Sequence, residues 1–262
     1  MGRIAKQSQF GGTVPEYYIG TSGWHYDHWK GLFYPEKLAK PKWLEFYGQH
    51  FTTVELNNSF YRLPSETAFV NWRESSPKGF VFAVKVSRFI THIKRLKNVE
   101  EPLQNFLSRA DFLQDKLGPL LYQLPPNMKR NDETLEVFLS MLPCQYHHVL
   151  EFRHESWIDD RVFEVLRRHN VGLCVFDMPD FTCPAVATAD FVYVRFHGSA
   201  GLYASCYNDK ELSDWAKRIA ELETNLDTVY IYFNNDAEAY AVKNAKTLAQ
   251  LLDRFRNVGT GL

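Results

Sequence analysis

The chain has 262 residues, 45% of them hydrophobic and 23% charged, enough to bury a sizeable core and too apolar for a disordered or fibrous protein. Thirty Lys and Arg against 31 Asp and Glu leave a formal charge of -1, which excludes the strongly basic footprint of a dedicated nucleic-acid coat. No apolar run approaches the about eighteen residues of a membrane span and the start lacks a secretory apolar region, so a cytoplasmic protein with no membrane partner is expected. The four cysteines, Cys144, Cys174, Cys183 and Cys206, form no CxxC pair and read as free thiols.

Residues 1–16 show no period and contain Gly11, Gly12 and Pro15, so they read as a flexible lead-in to a single domain over 17–262. From there short β-branched or aromatic runs recur: Tyr17–Gly20, Thr52–Asn57, Phe80–Val86, Leu120–Leu124, His148–Phe152, Val171–Phe176, Phe191–Phe196 and Thr228–Phe233. Between them lie amphipathic stretches with helical spacing, such as Leu103, Phe106, Leu107 and Ala110, or Val162, Val165 and Leu166, or Ala245, Leu248, Ala249 and Leu252. Helix starts are marked by Asp159-Asp160 and by Asn208-x-x-Glu211, a capping box with Asn in place of Ser or Thr.

Eight strands alternating with helices predict an α/β fold, a single (β/α)8 TIM-type barrel. The link around Asp180 to Thr188, between the sixth and seventh runs, is short and holds a proline, so its helix is expected to be irregular or missing. An open doubly wound sheet fits less well, because Gly20-Thr21-Ser22-Gly23 lacks the third glycine or the lysine of a nucleotide-binding turn.

Ile19-Gly20-Thr21-Ser22-Gly23-Trp24 with Tyr26, Trp29, Gly31 and Phe33-Tyr34-Pro35 resembles the opening of the YecE-like family, domain-of-unknown-function family 72. Later blocks match in order: Glu55-x-Asn57 with Phe60-Tyr61 and Pro64, Lys85 with Thr91-His92, Gln123 to Pro126, Glu151-Phe152-Arg153 with Trp157, Arg195 to Gly198, and Asn234-Asn235. The resemblance spans about residues 17–252 and implies a TIM barrel but no reaction.

The active site of such a barrel gathers at the carboxyl ends of its strands, and charged residues of both signs fall there. Glu55 and Asn57 are co-facial at the end of the second run, as are Glu151 with Arg153 at the fifth and Arg195 with His197 at the seventh. Lys85 ends the third run, Asp177 the sixth, and Asn234-Asn235 the eighth. Buried unpaired these charges would be costly, so they are expected to converge on one another or on a polar ligand. The reading favoured is an enzyme doing metal-free acid/base chemistry on a small anionic substrate, one bearing phosphate or carboxylate. In it Glu55, Lys85, Glu151 and His197 transfer protons, while Tyr26, Asn57, Tyr61, Arg153, Arg195, Gly198 and Asn234 bind substrate. The anion is expected between Arg195 and Gly201, where small residues would let backbone amides approach it.

Against this stands a structural ion bridge between Glu151 and Arg153. If Glu151 instead serves chemistry, Glu151→Gln is expected to change stability by no more than about 1 kcal/mol. A non-catalytic nucleotide, nucleic-acid or metabolite binder is the alternative class. A metal-dependent phosphodiesterase or nuclease-like enzyme using Glu55, His92, Glu151, Asp177 and His197 is another, weakened by the repulsion that Lys85, Arg153 and Arg195 would exert on a cation. No cofactor is expected, a divalent metal is the less favoured case, and nucleic acid is the less favoured partner. Trp29, Phe33 and Tyr34 are read as packing over the barrel mouth, and His147-His148 as structural groups on the opposite rim.

Overall fold

The computed structural model describes residues 15–179, 181–199, 201–222 and 226–259. Among these residues eight parallel strands form a nearly closed barrel: β1 Glu16–Thr21, β2 Thr53–Leu56, β3 Val81–Lys85, β4 Leu117–Gln123, β5 His148–Glu151, β6 Gly172–Met178, β8 Phe191–Phe196 and β9 Thr228–Phe233. The two-residue β7, Phe181–Thr182, folds back antiparallel on β6. It occupies the link where a helix was expected to be missing, and the segment after it runs to β8 without one. Of the expected lead-in, residues 1–14 lie outside the described residues, while Glu16 already pairs with Thr228 as part of β1.

The helices are α1 Trp43–Tyr47, α2 Asn58–Tyr61, α3 Glu66–Ser75, α4 Glu100–Ala110, α5 Asp132–Ser140, α6 Asp160–Arg168, α7 Asp209–Leu222 and α8 Tyr240–Gly259. Their apolar stripes face the strands: Leu103, Phe106, Leu107 and Ala110 of α4 are all buried. Asp159 caps α6 by accepting from the Arg161 amide at 2.9 Å. At α7 the Asn208 side chain accepts from the Glu211 amide at 3.0 Å while Glu211 accepts from the Asn208 amide at 2.7 Å, the reciprocal capping box read from the sequence.

Alternation along each strand sorts residues into an outer set against the helices and an inner set that fills the barrel in tiers. At the amino-terminal end Tyr18 stacks on Tyr230 at 5.4 Å, and His147 stacks on Phe191 at 4.5 Å. His148 is buried there as well, bonded to the Pro143 carbonyl at 2.9 Å and to the Tyr122 hydroxyl at 3.1 Å. In the middle Thr53 meets the Tyr232 hydroxyl at 2.7 Å, and Tyr193 packs on Tyr232 at 5.2 Å. The uppermost tier is polar and holds Glu55, Glu151 and Arg195, each no more than 1% exposed.

The barrel closes between β1 and β2 through a seam rather than a full ladder. The Tyr47 hydroxyl from α1 accepts from the Thr21 amide at 3.0 Å and donates to the Thr53 carbonyl at 3.1 Å, joining the two strands where they do not pair directly. Gly20 permits this approach, since a β-carbon there would lie 2.3 Å from the Thr53 carbonyl oxygen. Above the seam a lone parallel bridge between Ser22 and Glu55 completes the ring.

Candidate active site at the barrel mouth

Arg195 is the centre of the polar tier. One terminal nitrogen donates to Glu55 Oε1 at 2.8 Å and the other to Glu151 Oε2 at 2.6 Å, so the guanidinium lies between two buried carboxylates. Each carboxylate is completed by neighbours that the strand register supplies. Ser22 donates to Glu55 at 2.7 Å and the Tyr193 hydroxyl at 2.6 Å. Gln123, paired in register with Glu151, donates to it at 2.8 Å, and the Arg153 Nε donates to the same oxygen. Burial alone would raise the Glu151 pKa, but the charges of Arg153 and Arg195 outweigh it and hold the group well below the usual carboxylate range.

A second layer lies over this one, nearer solvent. Lys85 donates to Gln123 Oε1 at 2.9 Å and its ammonium sits 4.1 Å from the centre of the Phe60 ring. Among the described residues no carboxylate lies within ion-pair distance of it. Burial, aided by Arg195, pushes its pKa down to about 8. Arg153 keeps 11% of its side chain exposed and lies over the Phe176 ring at 4.8 Å. Its Nη1 donates to the Met178 sulfur at 3.0 Å, a weak acceptor, and its Nη2 to His197 Nε2 at 2.9 Å.

That last contact fixes the state of His197. A guanidinium has no lone pair to offer, so Nε2 accepts and the imidazole is neutral with its hydrogen on Nδ1. The Asn234 amide nitrogen is placed 3.1 Å from Nδ1, and turning that amide over sets its oxygen there to accept from Nδ1–H. Burial and then the neighbouring Arg195 charge hold the His197 pKa well below its usual value.

Glu55, Lys85, Glu151, Arg153, Arg195, His197 and Asn234 thus form one connected network. Tyr26 lies at its edge, donating to the Ser22 carbonyl at 2.5 Å, with burial and then the charges of Asp236 and Glu55 pushing its hydroxyl pKa up. Asn57 stands at the N-cap position of α2 beyond the end of β2 without a capping bond, its side-chain oxygen buried and without a partner among the described residues. Tyr61 is 73% exposed and packs only its edge on Phe60. His92 packs edge-on against Phe60 and is held neutral near physiological pH, burial and then Lys85 lowering its pKa to about 4.

Three expectations need correction. The Gly198 to Gly201 loop does not offer its glycine amides: Gly198 donates to the Tyr207 hydroxyl at 3.0 Å and Gly201 to Ser205 at 3.2 Å. Gly198 is there for its conformation, with φ +105° and a carbonyl oxygen 2.3 Å from where a β-carbon would stand; Ala200 lies outside the described residues. Arg195 is no anion clamp either, since both its terminal nitrogens are taken by carboxylates and it is 1% exposed. Asp177 points away from the mouth, bonded to Tyr207 and Trp215 of the outer layer, because Cys174 and Phe176 hold the inward phase of β6. With it gone, the five-residue metal set does not assemble; among the described residues no three His, Cys, Asp or Glu side chains gather closely enough to ligate an ion.

Gln123, Ser22 and Tyr193 are the network members not assigned a role by the sequence. Their signal was present: Gln123 ends β4, and Tyr193 lies two residues before Arg195 on the same face. In the aromatic first loop Trp29 and Tyr34 are buried as packing residues, Trp29 donating to the Asp236 carbonyl at 2.8 Å.

A (β/α)8 barrel with a closed ring of charges at the carboxyl ends of its strands is thus the class. Residues 18–260 match the family described as "Protein of unknown function DUF72", and the chain belongs to that family. Relatives include the UPF0759 protein YunF of Bacillus subtilis, 30% identical over 90% of this chain and 94% of its own, and the UPF0759 protein YecE of Escherichia coli, 25% identical over 88% and 90%. A DUF72 family protein from Thermotoga maritima has a similar solved structure, with a TM-score of 0.83 and 32% identity over 91% of this chain and 99% of that one. A second, from Enterococcus faecalis, shares the fold at a TM-score of 0.77 and 20% identity.

Proposed function

We propose that the barrel mouth is the active site of an enzyme that acts by metal-free acid/base chemistry on a small substrate bearing phosphate or carboxylate. The observation that carries this reading is a pair of cations over the buried tier, Lys85 and Arg153, each with a terminal nitrogen turned to a weak or neutral acceptor. Lys85 uses one of its donors on a neutral amide, and Arg153 directs one nitrogen at a thioether. With Glu55 and Glu151 set against Arg195, Arg153 and Lys85, the network carries one cation more than it has carboxylates, which favours an arriving anion. The anion belongs at Lys85 and Arg153, not at Arg195 and Gly198.

Roles within the network divide accordingly. Lys85, whose pKa of about 8 lies close to neutrality, is the proton carrier. Glu55 and Glu151 fix Arg195 and supply the field, and His197, neutral with both nitrogens engaged, positions Arg153 and Asn234. Asn57, Tyr26 and Tyr61 surround the opening as candidate substrate contacts.

Titration with inorganic phosphate and with malonate, read by thermal melting and calorimetry, tests this. The wild type should be stabilised by either anion, and Arg153→Gln should bind about tenfold more weakly, the loss of one charge-assisted hydrogen bond. Equal binding by the two proteins would remove the anion from this place.

A further inference from the structure

Resting on that reading and going beyond proton transfer, we propose that Lys85 is a nucleophile: its amine condenses with a small carbonyl compound that also carries a carboxylate or phosphate, forming an iminium adduct at the mouth of the barrel. Three features of its surroundings suit this chemistry. No carboxylate among the described residues holds the amine as a fixed ammonium. Its one polar partner among the described residues is Gln123 Oε1 at 2.9 Å, an acceptor that needs a single N–H. A protonated imine of lysine retains one N–H, so the same hydrogen bond persists in the adduct. The Phe60 ring, 4.1 Å away, is an apolar wall that excludes water from a C=N bond and stabilises its positive charge. A desolvated lysine beside other cations is a recognised setting for an activated amine, and here burial and Arg195 both lower its pKa, to about 8.

Gln123 also sets the substrate's length. It bridges Lys85 to the Glu151 oxygen that Arg153 also contacts, so the Gln123 amide and one carboxylate oxygen lie between amine and guanidinium. A carbonyl carbon at Lys85 and an anionic group at Arg153 therefore belong to a molecule of only a few atoms. The step balances without an oxidant. The ammonium gives a proton to water, the amine adds to the carbonyl carbon, and the added nitrogen passes one of its two protons to the carbonyl oxygen. The hydroxyl so formed takes up the proton first given to water and leaves as water as the nitrogen lone pair closes the C=N bond. Ammonium and carbonyl thus become iminium and water.

Reductive trapping tests the adduct. The protein is incubated near neutral pH with glyoxylate and sodium cyanoborohydride, in parallel with the neutral acetaldehyde, and peptide masses locate the modified lysines. Lys85 should be alkylated by glyoxylate about tenfold faster than exposed Lys94 or Lys217, because its lowered pKa leaves more of it neutral near pH 7. Malonate should slow the reaction at Lys85 alone. Gln123→Glu, which sets a carboxylate against the amine and holds it as ammonium, should suppress labelling at Lys85 and leave Lys94 unchanged. Labelling of surface lysines with Lys85 spared would overturn the nucleophile, and continued stabilisation by malonate would then leave the anion site standing. Fast labelling by acetaldehyde that malonate does not slow would support the nucleophile and sink the anionic substrate.

Discussion

The two layers of charge at the barrel mouth differ in what they leave undone. In the inner layer every carboxylate oxygen of Glu55 and Glu151 has a donor, and both terminal nitrogens of Arg195 have an acceptor. In the outer layer Lys85 holds a neutral amide, and Arg153, whose Nε is paired with Glu151, turns its terminal nitrogens to a thioether and a neutral imidazole. Charges of the same kinds, a few ångströms apart, therefore serve different ends. The inner layer, in which only Arg195 Nε is without a partner among the described residues, resists loss because each member leaves a buried charge behind. The outer layer should tolerate loss better, and it is where the proposed ligand would sit. Substitutions that break the comparison separate stability from binding.

The largest effect is expected at the centre. Arg195→Met leaves Glu55 and Glu151 buried without their shared cation and should cost about 3–5 kcal/mol by chemical denaturation. A loss below about 1 kcal/mol, the range of ordinary surface changes, would show that the inner layer is not a structural unit. Glu151→Gln comes next, at about 3 kcal/mol, since it removes the partner of two guanidiniums. This reverses the expectation from sequence that the substitution would be tolerated. It also carries a pH signature. The folded pKa of Glu151 is lowered, so its contribution is complete above the unfolded value of about 4.3 and is lost as pH falls through the folded one. Wild-type stability should drop below about pH 5 more steeply than that of Glu151→Gln, and parallel pH curves would contradict the assignment.

How much of this was open to the sequence follows from what alternation encodes. Period two along a strand places Glu55, Glu151 and Arg195 on inner faces, and their position at strand ends places them at one rim. It does not say which neighbour reaches which oxygen, because that depends on register between strands distant in sequence. Glu151 meets Gln123 through the β4–β5 register, and Tyr193 reaches Glu55 across the barrel. Asp177 was misread by strand-end position alone; counting from Cys174 and Phe176 puts it in the outer phase. The glycine loop was misread because a left-handed turn and an anion nest have the same residues. The partners of the two amides distinguish them, and the Tyr207 hydroxyl lies nine positions from Gly198. Cap residues such as Asp159 and Asn208 were legible because their partners lie within three residues.

A smaller effect is expected in the outer layer at Arg153→Gln. The change removes a charge-assisted bond to Glu151, and Arg195 and Gln123 remain to hold that carboxylate. A cost of about 1.5–2 kcal/mol follows, measured by urea denaturation, together with the about tenfold weaker anion binding described above. A cost matching that of Arg195→Met would merge the two layers into one.

The smallest effect has the opposite sign, and it divides the layers most sharply. Lys85 has a folded pKa of about 8, below its unfolded value of about 10.4, so folding below pH 8 confines an ammonium where it is disfavoured. The unfolded chain binds the extra proton between those two values, and wild-type stability therefore gains from Lys85 as pH rises through that window. Lys85→Met removes the penalty and keeps much of the side chain's bulk against Phe60. We expect it to be more stable than wild type by about 1 kcal/mol at pH 7, less than the whole shift implies because the lost cation–π contact offsets part of it. The gain should shrink as pH climbs past 8 and vanish near 10.4, where both chains carry no charge at this position. Thermal or urea unfolding of the two proteins across that range decides it. A variant less stable at pH 7, with the deficit closing as pH rises, would mean that Lys85 is held by the network as firmly as Arg195, and the outer layer would lose its claim to the ligand.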